Sequence, residues 1–267
     1  MKDITPVKIA FQSSLALFAL ILCACTTVGG KGEGSVVSAP DGVFEGLALD
    51  EAGDGGAFLG IPFAAPPVGD LRWKAPGPVV QSGAMYDTTS YAPACIQGDY
   101  NISWYAGLIS SFGGDPADAP KPQGESEDCL YLNVWTPDTT PETPLPVMVW
   151  IHGGAYKGGW SYEPNYIGTE LAGQGVIVVS TAYRLGPFGF LSPEADETNA
   201  PLNFGLMDQM AALEWVQRNI GAFGGDRDNV TIFGESAGAS SIGTLMTLPE
   251  AAGLFDAAIS QSGGFES

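Results

Sequence analysis

The sequence predicts an α/β fold with a mixed, mostly parallel central sheet. Three observations carry this prediction. Short continuous apolar runs, such as residues 147–151 and 176–180, recur along the chain, and such runs suit strands covered on both faces. Leu206, Met210, Leu213, Val216 and Ile220 recur at the pitch of one helical face. Glycine-rich turns directly follow two of the apolar runs, at 152–155 and 234–238. Strands that alternate with helices through tight turns read as layers around a parallel sheet.

Taken in order, residues 58–62 form a short strand, and residues 130–135, directly after Cys129, form the next. Strands at 147–151 and 176–180 follow. No long helical pattern separates the strands between 130 and 180, so an antiparallel edge is expected there. The helix over 206–220 is stopped by Gly221 and by Gly224 and Gly225. Residues 230–233 are a further strand. A second helix runs from about Ser236 to Thr247, with Pro249 marking its end, and residues 257–260 form another strand.

Apolar residues make up 45% of the 267 positions and charged residues 15%, which suits a packed core and argues against bulk disorder. Acidic residues outnumber basic ones 30 to 10, so phosphate backbones are repelled and no nucleic-acid partner is expected. The single histidine, His152, excludes a multi-histidine metal site. The cysteines, Cys23, Cys25, Cys95 and Cys129, include no CxxC pair, which argues against thiolate zinc. There is no P-loop and no dinucleotide fingerprint at a strand–helix junction, so neither metal nor cofactor is expected.

The first residues read as an address. Lys2 and Lys8 precede the apolar run 15–22, which is too short to span a bilayer and suits a signal peptide. Leu22-Cys23-Ala24-Cys25 resembles a lipoprotein box. Residues 1–24 are therefore expected as a signal peptide with Cys25 lipidated, or alternatively as an ordinary signal cut at nearby small residues. Residues 25–40, rich in Gly, Ser and Val, are expected as a flexible tether, and the domain as 41–267. The expected location is exported, periplasmic or at the cell surface, anchored to membrane through Cys25 or else secreted.

Export gives the other cysteines a meaning. In an oxidising compartment Cys95 and Cys129 should pair; two buried free thiols are the alternative. The segment between them holds Tyr100, Trp104, Tyr105 and Phe112 among Gly, Asp and Pro. It reads as a surface Ω-loop whose aromatics either pack the loop or line an apolar substrate gorge.

Gly234-Glu235-Ser236-Ala237-Gly238 matches G-x-S-x-G. The pattern is weak alone, but here it follows an apolar run and opens a helix, the context of a nucleophile elbow. His152-Gly153-Gly154-Ala155 follows another strand, where small residues would let backbone N–H groups approach a developing oxyanion.

With these blocks the chain resembles the type-B carboxylesterase family, which includes cholinesterases and many bacterial esterases. Matching stretches are 58–69, 71–76, 127–134, 149–155, 183–186, 203–209, 223–226 and 229–238. The resemblance implies an α/β-hydrolase fold and a serine esterase acting on a small-molecule ester. It implies Ser236 as nucleophile and the amides of Gly154, Ala155 and Ala237 as oxyanion donors. Many relatives carry glycine where this chain has Ala155. It also implies a Cys95–Cys129 disulfide, a buried structural ion pair between Arg72 and Glu127, and Glu235 as a site-lining carboxylate, whose alternative is a solvated surface glutamate.

The chain departs from the family in one respect. An α/β-hydrolase takes its acid and then its histidine after the serine, and no histidine follows Ser236. His152 is expected to brace the oxyanion loop and not to act as base. The sequence is therefore expected to be the N-terminal half of an exported serine carboxylesterase, weak or inactive alone. A non-catalytic adhesion member of the same fold is the alternative from another class, and amide or lactone cleavage is another acyl chemistry open to the same residues.

Overall fold

The computed structural model describes residues 34–49, 54–79, 83–191 and 203–264. The expected signal peptide, Cys25 and most of the expected tether lie outside these residues. Part of that tether is strand: β1 (Val36–Ala39) pairs antiparallel with β2 (Gly42–Glu45), and Val37 opposite Phe44 is buried. The folded domain thus reaches back before residue 41.

The longer strands are β4 (Gly56–Pro62), β8 (Tyr131–Thr136), β9 (Leu145–Ile151), β10 (Ile177–Thr181), β11 (Gly225–Glu235) and β12 (Ala257–Gln261). Of the short strands, β3 (Leu47–Ala48) pairs with β4, β5 (Met85–Asp87) joins β1 and β2 in a three-stranded sheet, and β6 (Ala94–Cys95) and β7 (Glu125–Ser126) pair with each other. The central sheet runs β12-β11-β9-β10-β8-β4-β3. β12, β11, β9 and β10 are parallel; β8, β4 and β3 continue antiparallel. The antiparallel edge expected between 130 and 180 begins at β8 and continues through β4 and β3, three of the seven strands beside four parallel ones.

All five residues of β10 are buried, as its unbroken apolar run requires. Leu132, Val134, Val147, Val149, Ile177 and Val179 have no exposure, and each contributes on the order of 2 kcal/mol through burial. A bulge shifts the β4–β8 register between Phe58 and Ile61. The freed Gly60 N–H donates to Asn133 Oδ1 (2.9 Å), and Asn133 Nδ2 donates to Ser161 and Ser180. A buried asparagine thus satisfies the backbone that the bulge strands.

Helices α1 (Tyr100–Ser111), α2 (Thr169–Ala172), α3 (Gly186–Phe190), α4 (Phe204–Asn219) and α5 (Ala237–Leu245) cover the sheet and its loops. α4 starts two residues before its apolar pattern. Its buried face holds Leu213 and Val216 but also Asp208, Gln209 and Asn219, while Leu206 and Met210 are only half-buried. Polar partners turn the helix away from its purely apolar face. Asp208 takes three bonds from Arg184: from Nε (2.8 Å), Nη2 (2.7 Å) and its backbone N–H (3.0 Å). Beyond it, Trp215 and Phe223 pack against Phe44, and Phe223 also meets Phe58 edge-on at 4.9 Å.

Cys95 and Cys129 are bonded and buried. The segment they enclose is not the irregular loop expected of it, because residues 100–111 form α1. Its glycines and prolines lie mainly at its ends, and Asn101 and Tyr105 supply a buried face that draws the helix onto the domain.

Candidate active site

The turn from β11 into α5 is built by close approach. A Cβ on Gly234 would lie 2.5 Å from the Ile151 carbonyl oxygen, and one on Gly238 only 2.0 Å from it. Both positions need glycine because the turn presses against the end of β9. Ser236 between them has φ 55° and ψ −119°, a conformation that costs a non-glycine residue on the order of 1–3 kcal/mol. Two backbone bonds hold it: its N–H donates to the Gln261 carbonyl (2.9 Å), and its own carbonyl accepts from the Ser240 N–H (2.9 Å).

The loop after β9 is also left-handed, with φ of 98° at Gly154, 55° at Ala155 and 58° at Tyr156. The Gly154 carbonyl accepts from the N–H groups of Lys157 (2.9 Å) and Gly158 (3.1 Å). Gly153 touches the serine turn: a Cβ there would lie 3.0 Å from Glu235 Oε2 and 3.2 Å from Ser236 Cβ.

His152 lies beneath this loop and is buried. Its ring stacks on Tyr183 at 4.4 Å, and its Nδ1 lies 2.9 Å from the Gly153 carbonyl, whose acceptor oxygen calls for a proton on that nitrogen. Burial pushes its pKa down to about 4. The Tyr183 hydroxyl donates to the His152 carbonyl (2.7 Å). The histidine therefore braces the loop from below, as expected.

Ser236, Gly154, Ala155 and Glu235 line one cavity of about 530 Å³. Its aromatic walls are Tyr100, Trp104, Tyr105, Trp150 and Tyr166, and Gln261 and Ser262 bound it on the β12 side. Among the described residues its charged lining is two carboxylates, Glu235 and Glu163, with no lysine, arginine or histidine. Glu163 is buried and accepts from the Tyr105 hydroxyl (2.5 Å), Asn101 Nδ2 (3.1 Å) and the Trp160 N–H (3.1 Å). Burial pushes its carboxyl pKa up, against the pull of these donors.

The profile of the carboxylesterase family matches residues 33–267. The chain belongs to the carboxylesterase family. It is 51% identical to a para-nitrobenzyl esterase of Bacillus subtilis over 77% of its length, 45% identical to a fumonisin B1 esterase of Sphingopyxis macrogoltabida over 79%, and 45% identical to an acetylcholinesterase of Bungarus fasciatus over 92%. It spans about two fifths of the length of these relatives, 37–40%. Among solved structures, a thermophilic PNB esterase superposes with a TM-score of 0.74 at 46% identity, covering 86% of this chain and 44% of that one. A carboxylesterase of Geobacillus stearothermophilus gives 0.70 at 39% identity, covering 84% and 43%. With these neighbours and its mixed, mostly parallel sheet, the chain has the α/β-hydrolase fold.

Within this carboxylesterase chain the residues singled out from sequence fall in three places. Ser236, Gly154, Ala155 and Glu235 meet at the cavity, and Ala237, the first residue of α5, is buried behind it. Glu235 is half-buried against Gly153, so it is not the solvated surface glutamate. Arg72 and Glu127 do pair, with Nη2 to Oε1 at 2.6 Å, but their side chains are 38% and 21% exposed. The pair is thus at the surface and not buried as expected. Among the described residues the buried pair is Arg184 with Asp208, at 4% and 0% exposure. It joins the stretches 183–186 and 203–209, each noted from sequence without the link between them.

Tyr100, Trp104 and Tyr105 line the cavity, whereas Phe112 points into solvent. Glu163 and Asn101 escaped the sequence reading. The signal for Glu163 was a lone acid among aromatics in Trp160-Ser161-Tyr162-Glu163-Pro164-Asn165-Tyr166. Asn101 carried no signal, since only α1 brings it under the loop.

Proposed function

We propose that this chain hydrolyses small-molecule carboxylic esters through an acyl-enzyme on Ser236. The observation that carries the reading is a serine in strained backbone at a strand–helix turn, sharing one cavity with Gly154 and Ala155. Family membership supports it, and so do relatives whose names all denote ester cleavage.

In this reading Ser236 Oγ attacks the ester carbonyl carbon and gives up its proton to a base. The carbonyl electron pair moves to oxygen, and the N–H groups of Gly154, Ala155 and Ala237 receive the charge. The C–O bond to the alcohol then breaks, and the alcohol leaves with a proton. Water adds to the acyl carbonyl and releases the acid and free Ser236. A cavity of about 530 Å³ is sized for a small ligand.

The base is the unmet requirement, because a serine hydroxyl is a poor nucleophile without one. His152 is the sequence's only histidine and is buried under the loop. Turnover by these 267 residues is therefore slow, and added imidazole raises it. The test follows p-nitrophenyl butyrate hydrolysis against imidazole concentration in the wild type and in Ser236→Ala. An imidazole-dependent rate specific to Ser236 is expected. Equal rates in the two proteins at every concentration would remove the reading.

We also propose that the chain is exported and lipid-anchored through Cys25. Support comes from the apolar run at 15–22 and from the Cys95–Cys129 disulfide, since such bonds persist in oxidising compartments. Radiolabelled palmitate should enter the wild-type chain in a bacterial host and not Cys25→Ser. Equal incorporation into both would refute the anchor.

A further inference from the structure

We propose that Glu163 and Asn101, both in the cavity wall, are positioning residues for the loop that presents Gly154 and Ala155. The proposal rests on the oxyanion reading of those two residues.

The loop needs an external template. Gly154, Ala155 and Tyr156 all stand at positive φ. For the two non-glycine residues that costs on the order of 1–3 kcal/mol each, and it persists only where the surroundings over-determine the backbone. The Cα of Gly154 lies in a narrow slot. A Cβ there would be 1.9 Å from the Gly158 carbonyl oxygen and 2.8 Å from Asn101 Oδ1. Asn101, in the first turn of α1, is thus one wall of that slot.

The orientation of the Asn101 amide is set by Glu163. Asn101 Nδ2 donates to Glu163 Oε1 (3.1 Å), which leaves Oδ1 facing Gly154. The same carboxylate oxygen accepts the N–H of Trp160 (3.1 Å), at the far end of the loop. One oxygen therefore ties the loop's end to the side chain that walls its start. Its other oxygen takes the Tyr105 hydroxyl, one turn further along α1.

A second grip lies alongside. Gln97 Oε1 accepts the Gly159 N–H (2.6 Å), and its Nε2 donates to the Gly159 carbonyl (2.9 Å) and to the Cys95 carbonyl (3.2 Å). Gln97 and Asn101 both belong to the stretch that begins at the disulfide. The loop is thus held at Gly154, Gly159 and Trp160 by three side chains.

A carboxylate at 2% exposure with no cation among these partners is costly to bury, and packing alone would be served by leucine. It matters where an oxygen must gather N–H and O–H donors from two segments. Misaiming the Gly154 and Ala155 amides weakens transition-state binding and leaves ground-state binding on the aromatic walls intact. Such a loss appears in kcat and not in KM.

The test uses the full chain as wild type, Glu163→Leu, Glu163→Gln and Asn101→Leu, with two readouts. Amide hydrogen exchange by mass spectrometry follows the peptide covering 153–160, with 225–233 as internal reference. Imidazole-assisted, Ser236-dependent p-nitrophenyl butyrate hydrolysis gives kcat and KM. For Glu163→Leu and Asn101→Leu we expect exchange about tenfold faster in 153–160 only, and kcat lower on the order of 100-fold with KM within about twofold. Glu163→Gln keeps an oxygen toward Asn101 and Trp160 and recovers at least half of the wild-type kcat. Unchanged loop exchange in both leucine variants overturns the proposal, as does faster exchange with kcat unmoved. If Glu163→Leu loses protection throughout, Asn101→Leu and Glu163→Gln decide by the same criteria. If Ser236→Ala equals the wild type, the esterase reading falls on its own; loop exchange then still overturns the positioning or, if faster and rescued by Glu163→Gln, upholds it.

Discussion

The backbone N–H of Ser236 donates to the carbonyl of Gln261 at 2.9 Å, which suspends the strained serine from the edge strand β12. The side chain of Gln261 is exposed, so it is the strand's backbone that does the holding. On the opposite side Gly234 and Gly238 press against Ile151 of β9. The serine turn is therefore clamped between two parallel neighbours of β11, and its strain is offset by hydrogen bonds and packing on both flanks.

This clamp leaves no room for a methyl group at Gly238. Gly238→Ala is expected to destabilise the domain by about 3 kcal/mol through overpacking against the Ile151 carbonyl. Gly221→Ala, where an added Cβ meets nothing within 4 Å, is expected to be neutral or slightly stabilising. Urea unfolding midpoints measure both, and equal midpoints for the two variants would refute the argument.

His152 makes the domain sensitive to acid. Its folded pKa of about 4 lies below its ordinary value of 6.5. Between those values the unfolded chain takes up a proton that the fold refuses, so stability falls as pH drops through this window and levels off below it. The gap corresponds to about 3 kcal/mol. Carboxylates ordinarily titrate near the lower end of this window, so the comparison is with His152→Gln. That variant should lose less stability between pH 7 and pH 4 than the wild type does, and an identical pH dependence would exclude His152 as the cause.

The two arginine–carboxylate pairs should behave differently. Arg184→Leu strands a fully buried Asp208 and is expected to cost about 3–5 kcal/mol; replacing both partners, as in Arg184→Met with Asp208→Leu, should recover most of that loss. Arg72→Met, at the exposed pair, should leave the thermal midpoint nearly unmoved. Thermal denaturation of the four proteins decides, and a double variant no better than the single one would contradict the account.

Strands 147–151 and 176–180 were legible because an unbroken apolar run has one comfortable place, the middle of a covered sheet. The serine turn was legible because glycines at fixed offsets mark a backbone that must approach its neighbour closely. α4 was legible as a helix, yet its buried face was misjudged: Asp208 becomes an interior residue only once Arg184 meets it. α1 was missed because its stretch carries turn-forming residues at both ends, and its buried face exists only against the loop after β9.

The sequence by itself determined the α/β alternation, the position of Ser236 on its turn and the glycine loop facing it, because period, glycine and local order act within a few residues. The tertiary structure alone decided which carboxylates are buried, which ion pair is internal and how Asn101 reaches Glu163 across 62 positions. The physical reason is range. Hydrogen bonds and desolvation depend on which distant segments come within about 3 Å of one another, and no local pattern carries that information.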